Sequence, residues 1–185
     1  MIVSLYKPFQ YWSDGGSIWI LSDTHFDDAD CKLMDENWIT PQEQIDIINL
    51  KVMKSDTFVL LGDVGNPKYI SEIKARKKML LLGNHDKRKD YDELFTEIYT
   101  GPLMISDKIL LSHEPIPNLK WCVNIHGHDH SGCTIFTEEC KHINVAANMC
   151  NYTPVNLGAL IKQGLLSDVV SIHRLAIEEQ KRHIV

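Results

Sequence analysis

The chain has 185 residues, of which 44% are hydrophobic and 24% are charged, and this balance is typical of a globular protein with one sizeable core. We therefore treat residues 1–185 as a single domain. The net charge of −6 gives no general attraction to a polyanion, so duplex nucleic acid is not an expected partner.

The first half of the chain alternates predicted strands with predicted helices. Thr40, Pro41 and Glu43 have the pattern of an N-cap, a first-turn proline and a capping box, so a helix is predicted to begin there. In chain order, the other predicted elements are a turn at 14–16, buried strands at 17–22, 57–61 and 79–82, and helices within 67–76 and 90–99.

The second half is predicted to contain more strands. A hairpin is expected where 103–106 and 108–112 flank Asp107, and further strands are expected at 121–125 and 143–146. Helices are predicted over 156–166 and 169–182. Alternating strands and helices indicate parallel pairing in the first half, and hairpins indicate antiparallel pairing in the second. Together these elements predict a layered or sandwiched α/β domain.

The sequence also indicates where the protein is found. It has no apolar run of membrane-spanning length and no N-terminal segment like a signal peptide, so we expect a cytoplasmic protein without a membrane partner. The five cysteines are odd in number and form no Cys-x-x-Cys pair, which favours free thiols. The alternative is a structural zinc site, although the cysteine spacing matches no common pattern.

Histidine, aspartate or asparagine follows five of the predicted strands directly. The five stretches are Asp23-Thr24-His25, Gly62-Asp63, Gly83-Asn84-His85-Asp86, His113 and His126-Gly127-His128-Asp129-His130. Any one of them alone is most simply a turn or a surface loop. Because ligands of α/β sheets bind at the carboxyl ends of strands, five such ends in succession predict one shared site.

These side chains form a mixed set of oxygen and imidazole ligands. Such a set suits Mn²⁺, Fe, Zn²⁺, Ni²⁺ or Co²⁺ better than Ca²⁺ or Mg²⁺, and we take Mn²⁺ as the first expectation. Seven ligands are too many for one tetrahedral ion and suit two divalent ions that share a carboxylate. Two ions about 3.5–4 Å apart hold the attacking and leaving oxygens of an in-line displacement.

The ordered motifs SDTH, GDVGN, GNHD, SH and HGHDH resemble the calcineurin-like metallophosphoesterase superfamily, and within it the small bacterial and phage-type phosphoesterases. The likeness extends from about residue 17 to residue 157. It implies a four-layer α-β-β-α sandwich with two mixed sheets. It also implies hydrolysis of a phosphomonoester or phosphodiester by a dinuclear metal site with a metal-activated water or hydroxide. The implied substrate is a small phosphate ester, and nucleotide-derived esters are among the candidates.

The same resemblance implies a role for each site residue. The first metal would be held by Asp23, His25, Asp63 and His130, and the second by Asp63, Asn84, His113 and His128. Asp63 would therefore bridge the two ions. His85 would lie over the leaving-group oxygen and donate a proton, and Asp86 would orient His85. His126 is either a supporting residue or an ordinary strand-end histidine, and Asn148 is a candidate for support of the site.

The sequence departs from the family pattern at two places. Asp27-Asp28 stands where many relatives have glycine followed by histidine or asparagine, and Gly65-Asn66 stands where larger phosphatases carry an arginine. The phosphate-binding residues of this chain therefore cannot be assigned from those relatives. Lys87 and Arg88 are candidates for binding the phosphate.

Two other functional classes are open. One is a non-catalytic scaffold on the same fold, and the complete ligand set together with His85 favours an enzyme over it. The other is a small nuclease or nucleotide phosphodiesterase; the chain length leaves little room for a DNA-binding domain, and the net charge also disfavours nucleic acid.

Overall fold

The computed structural model describes Ser4 and residues 6–10, 17–117, 119–132 and 141–183. The predicted turn at 14–16 and two of the cysteines, Cys133 and Cys140, lie outside the described residues. Of the described cysteines, Cys31 and Cys150 are free thiols. Within the described ranges, no helix has the length and apolar character needed to cross a membrane.

The described residues form nine strands and five α-helices, with three short 3₁₀ helices between them. The strands are β1 Ile18–Leu21, β2 Thr57–Leu60, β3 Lys77–Leu81, β4 Glu97–Tyr99, β5 Leu103–Ser106, β6 Ile109–Leu111, β7 Val123–His126, β8 Lys141–Asn144 and β9 Val155–Asn156. The α-helices are α1 Lys7–Gln10, α2 Cys31–Met34, α3 Pro41–Lys51, α4 Leu157–Lys162 and α5 Ile172–Arg182. The 3₁₀ helices are Pro67–Glu72, Arg88–Asp90 and Asn148–Cys150.

The strands form two mixed sheets. The first sheet has the order β4-β3-β2-β1-β9, in which β1 to β4 are parallel and β9 is antiparallel to β1. The second sheet has the order β5-β6-β7-β8, in which β5 is antiparallel to β6 and the rest are parallel. The predicted α/β fold of two mixed sheets with helices is confirmed.

Alternating side chains give the first sheet an apolar surface on both faces. In β1 and β2, Ile20 and Val59 point toward the second sheet and pack on its buried strands. Phe58 and Leu60 point the other way, toward the buried face of α3. That helix begins as predicted, because the Thr40 side chain accepts from the Glu43 N–H while Glu43 accepts from the Thr40 N–H.

Two sequence predictions are wrong. Residues 90–99 do not form a helix: a 3₁₀ turn ends at Asp90, and β4 pairs in parallel with β3. Leu94 and Ile98 have the i,i+4 spacing of an apolar helix face. However, the edge of β3 has unpaired backbone N–H and carbonyl groups, and this short segment forms hydrogen bonds with them as β4. In the described second half, β5 and β6 form the predicted hairpin and β9 is antiparallel to β1. β7 and β8 instead pair in parallel, which requires crossover connections and not hairpins.

Candidate metal centre

The loops that follow β1, β2, β3, β6 and β7 meet at one end of the two sheets. They bring six of the seven predicted ligands into two groups, and in each group the potential ligand atoms lie within 4.8 Å of one another. The first group is Asp23, His25 and His130, and the second group is Asp63, His113 and His128. The seventh predicted ligand, Asn84, lies beside the second group, with its Oδ1 atom 2.8 Å from His113 Nε2. Neither group includes any of the three described cysteines.

The two sheets are joined directly beneath these groups. Ser22, the residue after β1, forms a parallel bridge with Ala146, which follows β8. The Ser22 N–H donates to the Val145 carbonyl, and the Ala147 N–H donates to the Ser22 carbonyl, each over 2.9 Å. Since each group takes ligands from both sheets, this seam holds the two contributions at a fixed separation.

The first group contains buried polar atoms that face one another without hydrogen bonding. Asp23 Oδ1 lies 3.6 Å from His130 Nε2, and His25 Nε2 lies 3.8 Å from Asp63 Oδ2. Asp23 Oδ1 and His25 Nε2 have no hydrogen-bond partner in the described part of the chain. The other Asp23 oxygen accepts from the His128 N–H over 2.8 Å. Buried polar atoms are almost always paired, so these two fit a site for a cation.

Other side chains hold the two histidines of the first group. His25 Nδ1 lies 3.0 Å from a carboxylate oxygen of Asp28. His130 Nδ1 lies 3.1 Å from the amide oxygen of Asn148, whose nitrogen donates to the His130 carbonyl over 2.8 Å. The indole of Trp38 packs against both imidazoles, with ring centroids 5.9 and 5.6 Å away. Each Nε2 atom is thereby directed toward the centre of the group.

The second group brings several lone pairs toward one point. His113 Nδ1 donates to the Leu61 carbonyl over 2.8 Å, because a carbonyl oxygen only accepts. In a neutral imidazole, His113 Nε2 then carries a lone pair. That atom faces Asn84 Oδ1 at 2.8 Å, His128 Nδ1 at 3.2 Å and Asp63 Oδ2 at 3.4 Å. Acceptors that converge in this way need a cation between them, either a proton or a metal ion.

Charge and burial change the pKa values of these groups. Burial raises the pKa of Asp23 above its usual range. Burial also acts to raise the pKa of Asp63, but hydrogen bonds from His113 and the His85 N–H outweigh it and lower the pKa to about 2. Burial acts to lower the pKa of His113, but hydrogen bonding and charge from Asp63 and Asp23 raise it to about 9. Without a metal ion, a proton on His113 therefore supplies the positive charge that the second group needs.

The two predicted catalytic residues lie in different surroundings. His85 is 68% exposed, and its Nε2 atom lies 4.0 Å from Asp63 Oδ2 at the mouth of the site. The Asp86 carboxylate accepts from the N–H groups of Asp63, Gly83 and Val64 over 2.8, 2.9 and 3.0 Å. This geometry corrects the expectation that Asp86 orients the His85 imidazole. Asp86 instead ties the loop after β3 to the loop after β2.

The backbone of the site is unusual at four predicted ligands. Asp23, His25, Asp63 and His128 have φ values of 56°, 41°, 49° and 66°. Non-glycine residues rarely adopt this left-handed region, and each such residue costs about 1–3 kcal/mol, which the contacts of the surrounding structure must offset. Strain of this kind clusters at functional sites, and sequence motifs gave no indication of it.

The remaining candidates lie outside both groups. His126 Nδ1 donates to the Gly127 carbonyl over 2.9 Å, and its ring packs on His142, so it supports the end of β7. Arg88 is paired with Asp92 at 3.2 Å, and Lys87 is exposed. Sequence reasoning missed Trp38 as a wall of the first group, and it noted Asp28 only as a departure from the family pattern.

Comparison with known proteins agrees with this geometry. The family model described as calcineurin-like phosphoesterase matches residues 16–168. An uncharacterized protein of Methanocaldococcus jannaschii is 29% identical over 171 residues, covering 78% of this chain and 89% of that protein. The fold is similar to the crystal structure of a protein of unknown function from Aquifex aeolicus, with a TM-score of 0.68 and 24% identity over 80% of this chain and 99% of the other.

The A. aeolicus structure establishes likeness of fold alone. The family model covers most of the chain and includes all of the strand-end motifs. The chain belongs to the calcineurin-like phosphoesterase family, a family of metal-dependent phosphoester hydrolases.

Proposed function

We propose that this protein hydrolyses a small phosphate ester with two divalent metal ions, one in each group. The observation that carries the proposal is that Asp23 Oδ1 and His25 Nε2 are buried without a hydrogen-bond partner among the described residues. The Asp63 carboxylate beside them faces both His25 and His113. The donors combine carboxylate and amide oxygens with imidazole nitrogens, and this mixture favours Mn²⁺, with Fe, Zn²⁺, Ni²⁺ and Co²⁺ as alternatives.

The chain's own residues determine how such ions would be held. Asp63 Oδ2 lies between His25 of the first group, at 3.8 Å, and His113 of the second, at 3.4 Å, so it is the residue placed to serve both ions. The His85 N–H donates to Asp63 Oδ1 over 3.0 Å, so Oδ2 is the oxygen that faces the two imidazoles. When bound, the two ions would supply Lewis-acid charge and lower the pKa of a water molecule.

His85 is the proposed proton donor to the leaving group. Its exposed imidazole stands over Asp63 at the open side of the site, where the oxygen of a departing alcohol would emerge. Asp86 has a positioning role in this proposal, because it fixes the backbone of Asp63 and Gly83 and thereby holds the two loops that carry Asp63 and Asn84.

Two open clefts flank the centre and bear on the type of ester. One adjoins the first group and is lined by His25, Asp28 and Trp38, among others. The other adjoins the second group and is lined by Asn84, His113 and Ile116, among others. A phosphate held between the groups has room for a substituent on either side. We therefore expect phosphodiester hydrolysis to be detectable, alongside or in place of phosphomonoester hydrolysis.

The test is reconstitution of metal-free protein. We expect close to two ions per chain after dialysis against Mn²⁺, with hydrolysis of nitrophenyl phosphate or bis(nitrophenyl) phosphate that a chelator abolishes. Repeating the assay with Fe, Zn²⁺, Ni²⁺ and Co²⁺ ranks the metals by the hydrolytic activity that they support. Full activity in metal-free protein contradicts the proposal. Two bound ions with no hydrolysis of either ester class support the scaffold alternative.

A further inference from the structure

We propose that Asp28 is a positioning residue that fixes the tautomer of His25 and thereby sets the metal affinity of the first group. The inference rests on the proposed function and deepens it. Its geometric basis is the 3.0 Å distance between His25 Nδ1 and Asp28 Oδ2, with the histidine buried and the aspartate 33% exposed.

The tautomer matters because imidazole binds a metal only through a nitrogen that carries no proton. A carboxylate oxygen accepts, so the Asp28 contact places the proton of neutral His25 on Nδ1. The lone pair is then on Nε2. That atom is buried, has no hydrogen-bond partner in the described ranges and faces Asp63 Oδ2 at 3.8 Å. The partner of one ring nitrogen thus determines what the other can bind.

Asp28 is itself held in place by the same loop. Its backbone N–H donates to the His25 carbonyl over 3.0 Å, and its Oδ1 accepts from the Asp30 N–H over 2.9 Å. The turn includes His25 and Asp27 in the left-handed region, at φ values of 41° and 60°. One oxygen therefore closes the turn while the other meets the imidazole. The carboxylate is pre-positioned and not merely nearby.

Asp28 differs from the supports of two other predicted histidine ligands. His130 Nδ1 meets the neutral amide oxygen of Asn148, and His113 Nδ1 meets the neutral carbonyl of Leu61. Of these three histidines, only His25 has a carboxylate as the partner of Nδ1. A charged acceptor holds the proton more strongly and makes the opposite nitrogen a better ligand, so its removal affects binding at the first group.

Two substitutions separate the histidine contact from the turn. Asp28→Asn keeps the size and the acceptor for Asp30, but presents an amide N–H to Nδ1 and favours the wrong tautomer. Asp28→Ser can still accept from the Asp30 N–H but does not reach the imidazole. The matched control is Asp27→Asn in the same loop, because the Asp27 carboxylate contacts Asn66, Lys68 and Tyr69 and no metal ligand.

The experiment is a calorimetric titration of Mn²⁺ into each metal-free protein at one fixed pH, with thermal unfolding as a check on folding. Loss of a partner behind a metal-binding histidine typically weakens affinity about 10–100-fold. We expect that loss in one of the two binding steps for Asp28→Asn and Asp28→Ser, and a wild-type curve for Asp27→Asn. The ¹⁵N spectrum of the His25 ring should show the Nδ1–H tautomer in wild type and a shift toward Nε2–H in Asp28→Asn.

Wild-type affinity in Asp28→Ser overturns the inference even if Asp28→Asn misfolds, because serine removes the same histidine contact. An equal loss in Asp27→Asn overturns it too, since the effect would then belong to the charge of the loop. If wild-type protein binds no Mn²⁺, the proposed function itself fails. If wild-type binds two ions and both Asp28 variants bind them equally well, only this inference fails.

Discussion

The first and second groups of the metal centre are built differently, although both straddle the two sheets. In the first group Asp23 and His25 are buried, and the side chains of Asp28 and Asn148 hold the imidazoles. In the second group His128 is exposed, and so is Asn84, the predicted ligand beside that group. The buried histidine of the second group, His113, is held by a hydrogen bond from its Nδ1 to the backbone carbonyl of Leu61 and not by a side chain.

In the proposed function, one centre therefore combines a rigid site with an adaptable one. Ligands that are fixed before binding lose little conformational freedom when the ion arrives, so we expect the first group to bind its ion more tightly. Exposed ligands are less restrained and more accessible. The second group is therefore where we expect faster ion exchange and closer approach of the substrate.

The largest effect should come from the residue that the two groups share. Asp63→Asn should weaken both binding steps for Mn²⁺, and by more than the roughly 10–100-fold that loss of an outer partner costs. His113→Ala should weaken mainly the second step. Calorimetric titration measures both, and Asp107→Asn in the exposed turn of the hairpin is the control. A loss in one step only after Asp63→Asn would show that the carboxylate serves a single ion.

Removing one histidine from each group tests whether the two groups bind separate ions of different affinity. His130→Ala should abolish the tighter step and leave one weak ion, whereas His128→Ala should abolish the weaker step and leave one tight ion. Metal content after gel filtration distinguishes the two results. If both variants lose the same step, the groups do not bind independently identifiable ions, and the proposed ranking is wrong.

His85→Ala should separate catalysis from both metal sites. We expect turnover to fall about 10²–10⁴-fold, the usual contribution of a general acid, with two ions still bound. The loss should be smaller for a nitrophenolate leaving group, which needs little protonation. His173→Ala on exposed α5 is the matched control. Loss of metal in proportion to activity would make His85 a ligand or a structural residue.

A methyl group at Gly83 should disturb the centre through packing alone. A Cβ atom there would lie 2.2 Å from Asp63 Oδ1, whereas at Gly101 it would meet nothing within 4 Å. Gly83→Ala should lower the free energy of unfolding by about 1–3 kcal/mol and weaken metal binding. Gly101→Ala should stay within about 0.5 kcal/mol of wild type in urea unfolding. Equal stability of the two variants would mean that Asp63 moves aside freely.

The smallest expected effect is the pH dependence of the metal-free fold. The pKa of His113 is raised to about 9 from 6.5, so its stabilisation is complete below pH 6.5 and is lost as pH rises through 9. The pKa of Asp63 is lowered from 3.8 to about 2, so its contribution is complete above pH 3.8 and is lost as pH falls through 2. Urea unfolding of metal-free protein should show both declines.

His113→Gln should remove the alkaline decline and weaken the acid one, because the hydrogen bond with His113 is the largest cause that lowers the pKa of Asp63. An unchanged alkaline decline in this variant would assign it to another group.

Sequence reasoning worked where a residue's type and its place after a strand were sufficient. Apolar runs located β1, β2, β3, β6 and β7 closely enough to put their following residues at one sheet end. Because parallel strands deliver their carboxyl ends to the same side, the meeting of Asp23, Asp63 and Asn84 followed from topology alone.

The predictions from sequence were wrong or silent where a residue's partner is distant in sequence, or where tertiary contacts determine the backbone conformation. The Asp86 carboxylate adjoins His85 in sequence, but its hydrogen bonds go to residues that a separate strand brings near. The segment with Leu94 and Ile98 has helical spacing, yet the edge of β3 determines its structure. Left-handed φ at Asp23 and Asp63 is imposed by tertiary contacts and has no signature in the motif.

The seam at Ser22 and Ala146 also has a consequence for how the chain reaches this structure. Asp23 accepts a hydrogen bond from His128, 105 residues further along the chain, and each group needs both sheets. The chain loses the conformational entropy of closing such a long loop before the contact can stabilise it. We therefore expect the two groups to form late in folding. Metal ions should therefore slow unfolding of the native chain while leaving its folding rate nearly unchanged.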